Sequence, residues 1–237
     1  MTPVETLWVY LAERPLLWLT ATIAAYVAAD ALARRFGRHP LLNPVVIAAA
    51  LVIAVLSATG TDFATYFEGA QFVHFMLGPA TVALAVPLVE NRAVVRRTLL
   101  PILAAILAGS AVAIVSAVGI GYLLGLPDEV LRSLAPKSVT TPIAMGIAEK
   151  LGGIPSLTAV LVIATGIIGA MTVTPLMNGL RIRDYAARGL AAGVAAHGIG
   201  TARAFQVDRM AGTFAGIGMA LNGLLTALIA PLLLALW

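Results

Sequence analysis

The chain has 237 residues, of which 60% are hydrophobic and only 11% are charged. An ordinary soluble domain carries roughly 25% charged residues, so this composition excludes a water-soluble globule. The net charge of +4 comes from arginines in short loops. Because these arginines form no continuous basic stripe, no nucleic-acid partner is expected.

Long uncharged runs dominate the chain. They cover 39–61, 69–89, 98–127, 151–180 and 210–237, with shorter ones at 15–29 and 189–202. About 20 apolar residues span a bilayer as a helix, and no stretch alternates as the strands of a membrane barrel do. The sequence therefore predicts an all-α polytopic membrane bundle of about 6–8 membrane segments, in a single integral membrane domain over residues 1–237.

The charged loops set the predicted topology. Loops around Arg34, Arg96 and Arg183 are basic, whereas the connections near Asp62 and Asp128 are acidic. Loops rich in Lys and Arg stay in the cytoplasm, so the arginine loops are placed on that side. The crossings predicted in this way are 15–33, 41–60, 71–90 and 98–126, followed after the acidic turn by 156–179.

Two segments have the length of a span but not its composition. Residues 132–150 contain Arg132, Lys137 and two prolines, and residues 189–205 contain four glycines and Arg203. Irregular backbone at membrane depth is tolerated only inside protein or beside a watery cavity, because an unmet amide is costly in hydrocarbon. We therefore predict broken or re-entrant segments at 132–150 and 189–205, which could enter from opposite faces and meet near the midplane, as discontinuous helices do in secondary carriers.

The first of these segments carries a Lys-Ser-Val-Thr-Thr-Pro string. Pro142 has no amide hydrogen, which leaves the carbonyl of Ser138 without its helical donor. The hydroxyls of Ser138, Thr140 and Thr141 lie in the same short stretch. Lys137 is expected to face a cavity or a partner, because a charge near the bilayer centre is costly. The alternative is a proline kink whose hydroxyls bond their own backbone.

The second segment supplies a candidate carboxylate site. Arg203 offers a planar guanidinium beside Thr201, and Gly198 and Gly200 would let backbone amides approach the same anion. Arg203 could instead lie at a helix end and reach an anionic lipid headgroup. His197 titrates near neutral pH, so it is a candidate for proton coupling or, equally, a buried structural histidine.

Further polar and small residues complete the candidate set. Asn43 and Thr81 accompany prolines in the second and third spans, as ligands for a substrate or as parts of packing kinks. Glu149 is a second candidate for carrying a proton. The glycine pairs whose spacing lets helices pack closely are Gly121/Gly125, Gly189/Gly193 and Gly212/Gly216.

The chain has no cysteine and only three histidines. No metal site and no cofactor are therefore predicted. The motifs of zinc proteases, serine hydrolases and nucleotide-binding enzymes are missing from the sequence, so an enzyme is not expected.

Four strings resemble the LrgB/CidB family. They are Pro-Leu-Leu-Asn-Pro (40–44), Gly-Pro-Ala-Thr-Val-Ala-Leu-Ala-Val-Pro-Leu (78–88), Pro-Lys-Ser-Val-Thr-Thr-Pro-Ile-Ala-Met (136–145) and His-Gly-Ile-Gly-Thr-Ala-Arg (197–203). The resemblance covers nearly the whole chain and implies a multi-pass protein of the bacterial inner membrane. It implies two different functions: bacterial members are described as modulators of murein hydrolase activity and autolysis, whereas the similar region of the plant plastidic glycolate/glycerate translocator is a carboxylate carrier.

We predict a carrier for small hydroxy- or oxo-monocarboxylates such as glycolate, glycerate, lactate or pyruvate, in which Lys137 or Arg203 neutralises the carboxylate. The side chains expected to bind its hydroxyl or carbonyl are Thr140, Thr141, Thr201 and Asn43. The alternative is a holin- or antiholin-associated modulator of murein hydrolase export or activity. Expected partners are the carboxylate, membrane lipid and, from the resemblance, a separately encoded LrgA/CidA-like small membrane protein, with a homo-oligomer left open.

Overall fold

A computed structural model describes residues 15–39, 42–76, 79, 82, 89–90 and 92–235 of the chain. Every regular element within these residues is a helix, which confirms the predicted all-α class. In chain order the helices are α1 (Pro15–Arg35), α2 (Pro44–Thr59), α3 (Phe63–Phe75), α4 (Arg92–Arg97), α5 (Leu99–Leu123), α6 (Asp128–Leu134), α7 (Thr141–Leu151), α8 (Pro155–Gly179), α9 (Tyr185–Val207) and α10 (Arg209–Leu234). The described residues group into two compact units, one holding α1–α3 and the other α4–α10.

Four of these helices, α1, α5, α8 and α10, are long and apolar enough to cross a membrane. Large apolar side chains stay exposed on them; Leu100 and Leu123 of α5, for example, are 79% and 84% exposed. Apolar surface of this extent is compatible with hydrocarbon rather than with water. The protein is therefore a polytopic helical membrane protein, as the uncharged runs predicted.

The first unit is held together where α3 crosses α1. Trp18 is almost fully buried and meets Tyr66 edge to face, with the ring centroids 5.9 Å apart. A Cβ atom on Gly69 would overlap the carbonyl oxygen of Pro15. Glycine is thus required at this crossing, since any side chain would push the two helices apart.

Helix α3 begins earlier than the predicted crossing at 71–90. Asp62 accepts hydrogen bonds from the amide of Thr65 at 2.8 Å and from its hydroxyl at 3.0 Å, and these bonds lower the pKa of the Asp62 carboxyl. This capping starts the helix at Phe63. Most of the predicted crossing beyond residue 76 lies outside the described residues.

The second unit is organised by the packing of α10 along α9. A Cβ atom on Gly189 or Gly193 would overlap the carbonyl oxygen of Ala211 or Ala215, respectively. The close packing predicted for this glycine pair is confirmed. Gly125 acts differently: it follows α5 with a φ of +73° and open space around it, so it forms a left-handed turn rather than a helix contact.

Residues 132–150 lie in a helical hairpin, here called hairpin 1, made of α6, the non-helical residues 135–140 and α7. Along a straight helix, residues 132 and 151 would be about 28 Å apart. In the structure, Arg132 Nη1 donates a hydrogen bond to the carbonyl of Leu151 at 3.2 Å. The chain therefore reverses direction at 135–140, which confirms the predicted break.

Helix α9 is also folded back on itself and is called hairpin 2. Its helical geometry is interrupted at Ala196 and at His197, whose φ is 40° and ψ is −132°. A Cβ atom on Gly200 would lie 2.5 Å from the carbonyl oxygen of Ala192, and Ala192 shares a buried cluster with Ala204. A straight helix would hold those two alanines about 18 Å apart. The predicted break at 189–205 is thus a reversal at 196–197.

The bases of the two hairpins lie at opposite ends of α8. Thr158, in the first turn of α8, donates a hydrogen bond to the carbonyl of Ser133 in hairpin 1 at 3.1 Å. Arg188 of hairpin 2 donates to the carbonyl of Thr174, near the other end, at 3.3 Å. These two points on α8 are about 24 Å apart. The hairpins therefore enter the bundle from opposite faces.

Candidate functional site

The tips of both hairpins meet at one buried amide. Asn222 lies near the middle of α10 and is 1% exposed. Its Nδ2 donates to the carbonyl of Ser138 in hairpin 1 and to the carbonyl of Val194 in hairpin 2, each at 3.1 Å. Its Oδ1 accepts a hydrogen bond from the hydroxyl of Ser110 in α5. A single side chain thus joins the two tips to two membrane-crossing helices.

The carbonyl of Ser138 can accept from Asn222 because it has no helical donor, as the sequence predicts. Pro142 cannot donate the helical hydrogen bond that this carbonyl would otherwise accept. Pro142 instead occupies the second position of α7, where the missing amide hydrogen costs nothing. The proline therefore both ends the tip and leaves an acceptor, which the amide of Asn222 satisfies.

Hairpin 1 carries polar groups with spare hydrogen-bonding capacity. Lys137 is half-buried and donates from Nζ to the hydroxyl of Ser138 at 3.2 Å, which leaves two of its three N–H groups for other acceptors. The hydroxyls of Thr140 and Thr141 make no hydrogen bond within the described residues. A cation and two hydroxyls within five residues form a suitable set of donors for a small anion.

Hairpin 2 uses its polar groups to hold its own shape. His197 is buried, and its Nε2–H donates to the carbonyl of Val162 in α8 at 2.9 Å. A Cβ atom on Gly166 would lie 2.6 Å from His197 Cε1, so the imidazole occupies the space that this glycine leaves. Proton exchange at His197 would have to use Nδ1, since Nε2 is engaged.

The residues that follow the tip of hairpin 2 are likewise structural. The Thr201 hydroxyl donates to the carbonyl of His197 at 2.8 Å. Gly200 is needed for the reversal, because a Cβ atom there would meet the carbonyl of Ala192. Gly198 alone faces space, since a Cβ atom there would meet only Met219 Sδ, at an ordinary contact distance of 3.8 Å.

Arg203 is placed away from the tips. It lies on the arm of hairpin 2 that runs back to the base, where it lines a cleft together with Thr174, Tyr185 and Arg188. Thr174 is twelve residues along α8 from Val162, the partner of His197, which corresponds to about 18 Å. Lys137 and Arg203 therefore belong to two different sites.

The remaining candidates do not join the tips. Asn43 lies in the first unit, where its side chain caps α2 by accepting the amide of Val45 at 2.9 Å. Glu149 is exposed near the end of α7, eight residues and about 12 Å along the helix from Thr141. Thr81 lies outside the described residues. Among the residues that the structure describes, no group of three histidine, aspartate or glutamate side chains could hold a metal ion.

Sequence reasoning missed three buried polar residues that shape the site. Asn222 is the only amide or charged side chain in the run 210–237, a signal that could have identified it. Ser133 accepts the amide of Ile154 through its hydroxyl at 2.7 Å and so fixes the base of hairpin 1. Ser110 and Ser133 carry no comparable signal, because serine is common in membrane helices and only the fold supplies their partners.

The chain matches known sequences over nearly its whole length. The model of the LrgB-like family matches residues 22–236. The uncharacterized protein YwbG of Bacillus subtilis is 35% identical over 217 residues, which is 92% of this chain and 96% of the relative. The holin-like protein CidB of Staphylococcus aureus is 30% identical over 222 residues, 94% and 96% of the two chains. No solved structure matches the chain significantly. By this match the chain belongs to the LrgB-like family of multi-pass bacterial membrane proteins.

Proposed function

We propose that the protein is a secondary carrier for small hydroxy- or oxo-monocarboxylates, with its substrate site at the tip of hairpin 1. The observation that supports this most directly is the meeting of two oppositely inserted hairpins at Asn222. Carriers commonly build a midplane site from discontinuous helices of opposite orientation, because such helices expose backbone and polar side chains inside the membrane.

The donors of hairpin 1 suit a monocarboxylate. The ammonium of Lys137 neutralises one negative charge, and its two uncommitted N–H groups can each donate to a carboxylate oxygen. The hydroxyls of Thr140 and Thr141 can donate to, or accept from, the hydroxyl or carbonyl beside the carboxylate. A dicarboxylate would bring a second charge for which this tip provides no second cation.

Asn222 gives the site a defined position for alternating access. It holds the carbonyls of Ser138 and Val194 in the middle of the bundle, and movement of either hairpin must break one of these hydrogen bonds. A single neutral hydrogen bond contributes only about 1 kcal/mol net. Either hairpin could therefore open while the other stays tied to α10, which is what a two-sided gate requires.

The second candidate is a holin-like membrane protein that modulates murein hydrolases. It is favoured by the printed name of the Staphylococcus relatives, holin-like protein CidB. On this hypothesis an LrgA/CidA-like small membrane protein would be the partner, and the chain would carry no substrate of its own. The two candidates differ in one observable property, saturable solute uptake by the chain alone.

The test is uptake of radiolabelled glycolate, lactate and pyruvate into proteoliposomes that contain only the purified chain, with and without a pH gradient. Wild type is compared with Lys137→Gln. The matched control is Lys150→Gln, because Lys150 is the other lysine of the chain and is exposed at the far end of α7. We expect saturable uptake that Lys137→Gln lowers at least tenfold and that Lys150→Gln preserves.

Two results would overturn the carrier proposal. Uptake that Lys137→Gln leaves unchanged would remove the site from hairpin 1. An absence of saturable uptake under every gradient, in vesicles where protease protection verifies insertion, would favour the holin-like candidate.

A further inference from the structure

We propose that anionic phospholipid headgroups of the cytoplasmic leaflet bind a set of exposed arginines at one end of the second unit. Three of these arginines lie in α4 and two lie in the loop between α8 and α9. This site is separate from the tip where Lys137 lies, and the proposal does not depend on transport. The residues, here called the arginine face, are Arg92, Arg96, Arg97, Arg181 and Arg183.

The fold brings the two segments of the arginine face to the same end of the unit. Val95 of α4, Ala186 of α9 and Met210 of α10 all pack against one buried cluster, which includes Ile102 and Phe214. Along the chain, every arginine of the face lies within five residues of Val95 or of Ala186. Because those two residues share the cluster, α4 and the loop before α9 present their arginines at the same end.

The charge of the arginine face is not balanced by the described chain. None of its five guanidinium groups makes a hydrogen bond or an ion pair there. The acidic side chains that the described residues place at this end are engaged elsewhere. Glu90 pairs with Arg209 at 2.6 Å, Asp184 caps α9 by accepting the amide of Ala187, and Asp208 caps α10.

The arrangement of the arginines on α4 favours an anion from outside the chain. Arg92 and Arg96 are four residues apart and therefore lie on one side of the helix, where like charges repel each other. Arg97 follows directly and adds a third charge. Val95 packs against the buried cluster, so α4 is anchored by its apolar side while its arginines stay exposed. Negatively charged headgroups would relieve the repulsion.

The arginine face lies at the depth of lipid headgroups. Hydrogen bonding continues from α4 into the membrane-crossing α5, since the amide of Thr98 donates to the carbonyl of Val94 and the amide of Ile102 to the carbonyl of Thr98, each at 3.0 Å. Arg97 thus precedes the lipid-exposed Leu100 by only about 4.5 Å along the axis. The positive-inside rule places this end in the cytoplasm, where anionic lipids attract basic segments beside a membrane helix.

The experiment measures how the purified full chain responds to lipid in neutral detergent micelles. Phosphatidylglycerol is titrated against phosphatidylcholine at equal total lipid, and the thermal unfolding midpoint gives the half-saturating mole fraction. The test variant is Arg96→Gln/Arg97→Gln. The matched control is Arg132→Gln/Lys150→Gln, which removes the same charge from the opposite end of the second unit. The response of each variant is compared with its own midpoint in phosphatidylcholine.

We expect phosphatidylglycerol to raise the midpoint of wild type saturably. The half-saturating mole fraction should rise at least fivefold in the test variant and stay within about twofold of wild type in the control. Because the attraction is electrostatic, roughly 0.5 M salt should reduce the response of wild type. Arg96→Lys/Arg97→Lys keeps the charge and should respond within about twofold of wild type.

Four results would overturn the proposal. They are an equal response of wild type to the two lipids, an equal loss in the test and control variants, a response that salt leaves unchanged, and a lysine variant that binds as weakly as the glutamine variant. If the double glutamine variant fails to fold, Arg96→Gln and Arg97→Gln are measured singly, each with an expected increase of at least about twofold. Single variants that both respond as wild type does would likewise overturn it.

Discussion

The two hairpins reach the same amide, but they treat their polar residues in different ways. In hairpin 1, Lys137 and Thr140 keep donors that no residue of the described chain uses. In hairpin 2, His197 and Thr201 are engaged with Val162 and with the backbone of the tip itself. Membrane depth alone therefore does not make a polar residue functional. Hairpin 1 thus keeps donors that a ligand could use, whereas the polar groups of hairpin 2 are used within the fold.

The largest expected effect comes from removing the residue that the two hairpins share. Asn222→Leu leaves two buried carbonyls and the Ser110 hydroxyl without their partner, and each such group is costly in an apolar interior. We expect the free energy of unfolding in mixed micelles to fall by about 3 kcal/mol. Ser110→Ala is the matched control: it removes one of the three bonds and should cost about 1 kcal/mol. Equal losses in both variants would show that Asn222 does not join the tips.

A smaller loss of stability is expected from filling the space between α8 and the tip of hairpin 2. Gly166→Ala places a methyl group 2.6 Å from the His197 ring, so the imidazole must move and its bond to Val162 is strained or lost. We expect destabilisation of about 2 kcal/mol, as for other overpacked sites. Gly146→Ala in hairpin 1 meets nothing within 4 Å and should be neutral or slightly stabilising. Comparable unfolding free energies for these two variants would contradict the rigid role of His197.

The sequence indicated the hairpins to different degrees. Pro136 and Pro142 bracket the tip of hairpin 1, so its position follows from local chemistry. No proline or glycine lies at 196–197, because the reversal there uses His197 at positive φ, a conformation that tertiary packing must enforce. Gly189 and Gly193, which suggested a break, in fact let α10 approach.

The residues that Arg203 and Asn222 contact in the fold could not be predicted from the sequence. Arg203 is six residues from His197, so the sequence placed both in one site; the returning arm carries Arg203 to the base of hairpin 2 instead. Asn222 was overlooked because its partners lie 28, 84 and 112 residues away. Periodicity and spacing describe the neighbours of a residue along one helix, whereas these contacts depend on how several helices cross.

A smaller effect on stability is expected from removing one hydroxyl near the tip of hairpin 2. Thr201→Val removes the hydrogen bond from the Thr201 side chain to the carbonyl of His197 while it keeps the shape of the residue. We expect a loss of about 1 kcal/mol in the free energy of unfolding. Thr201→Ser retains the hydroxyl and should recover most of this loss. If valine and serine variants are equally stable, the hydroxyl does not support the tip.

The corresponding substitution in hairpin 1, Thr140→Val, should change substrate uptake and leave stability nearly unchanged. The Thr140 hydroxyl bonds nothing within the described residues, so Thr140→Val should change the free energy of unfolding by less than about 0.5 kcal/mol. If Thr140 donates to the carboxylate as we propose, the half-saturating substrate concentration in proteoliposome uptake should rise about fivefold, the equivalent of one hydrogen bond. Thr140→Ser, which keeps the hydroxyl, should transport as wild type does.

The paired measurements at Thr140 and Thr201 test the comparison of the hairpins directly. If Thr201→Val lowers only stability and Thr140→Val weakens only uptake, hairpin 2 supports the fold and hairpin 1 binds the substrate. A valine at Thr140 that destabilises the protein as much as one at Thr201 would show that both tips are held by their hydroxyls. Lys137 and Thr141 would then be the remaining donors for a substrate in hairpin 1, and Thr140 would be reassigned to support of the tip.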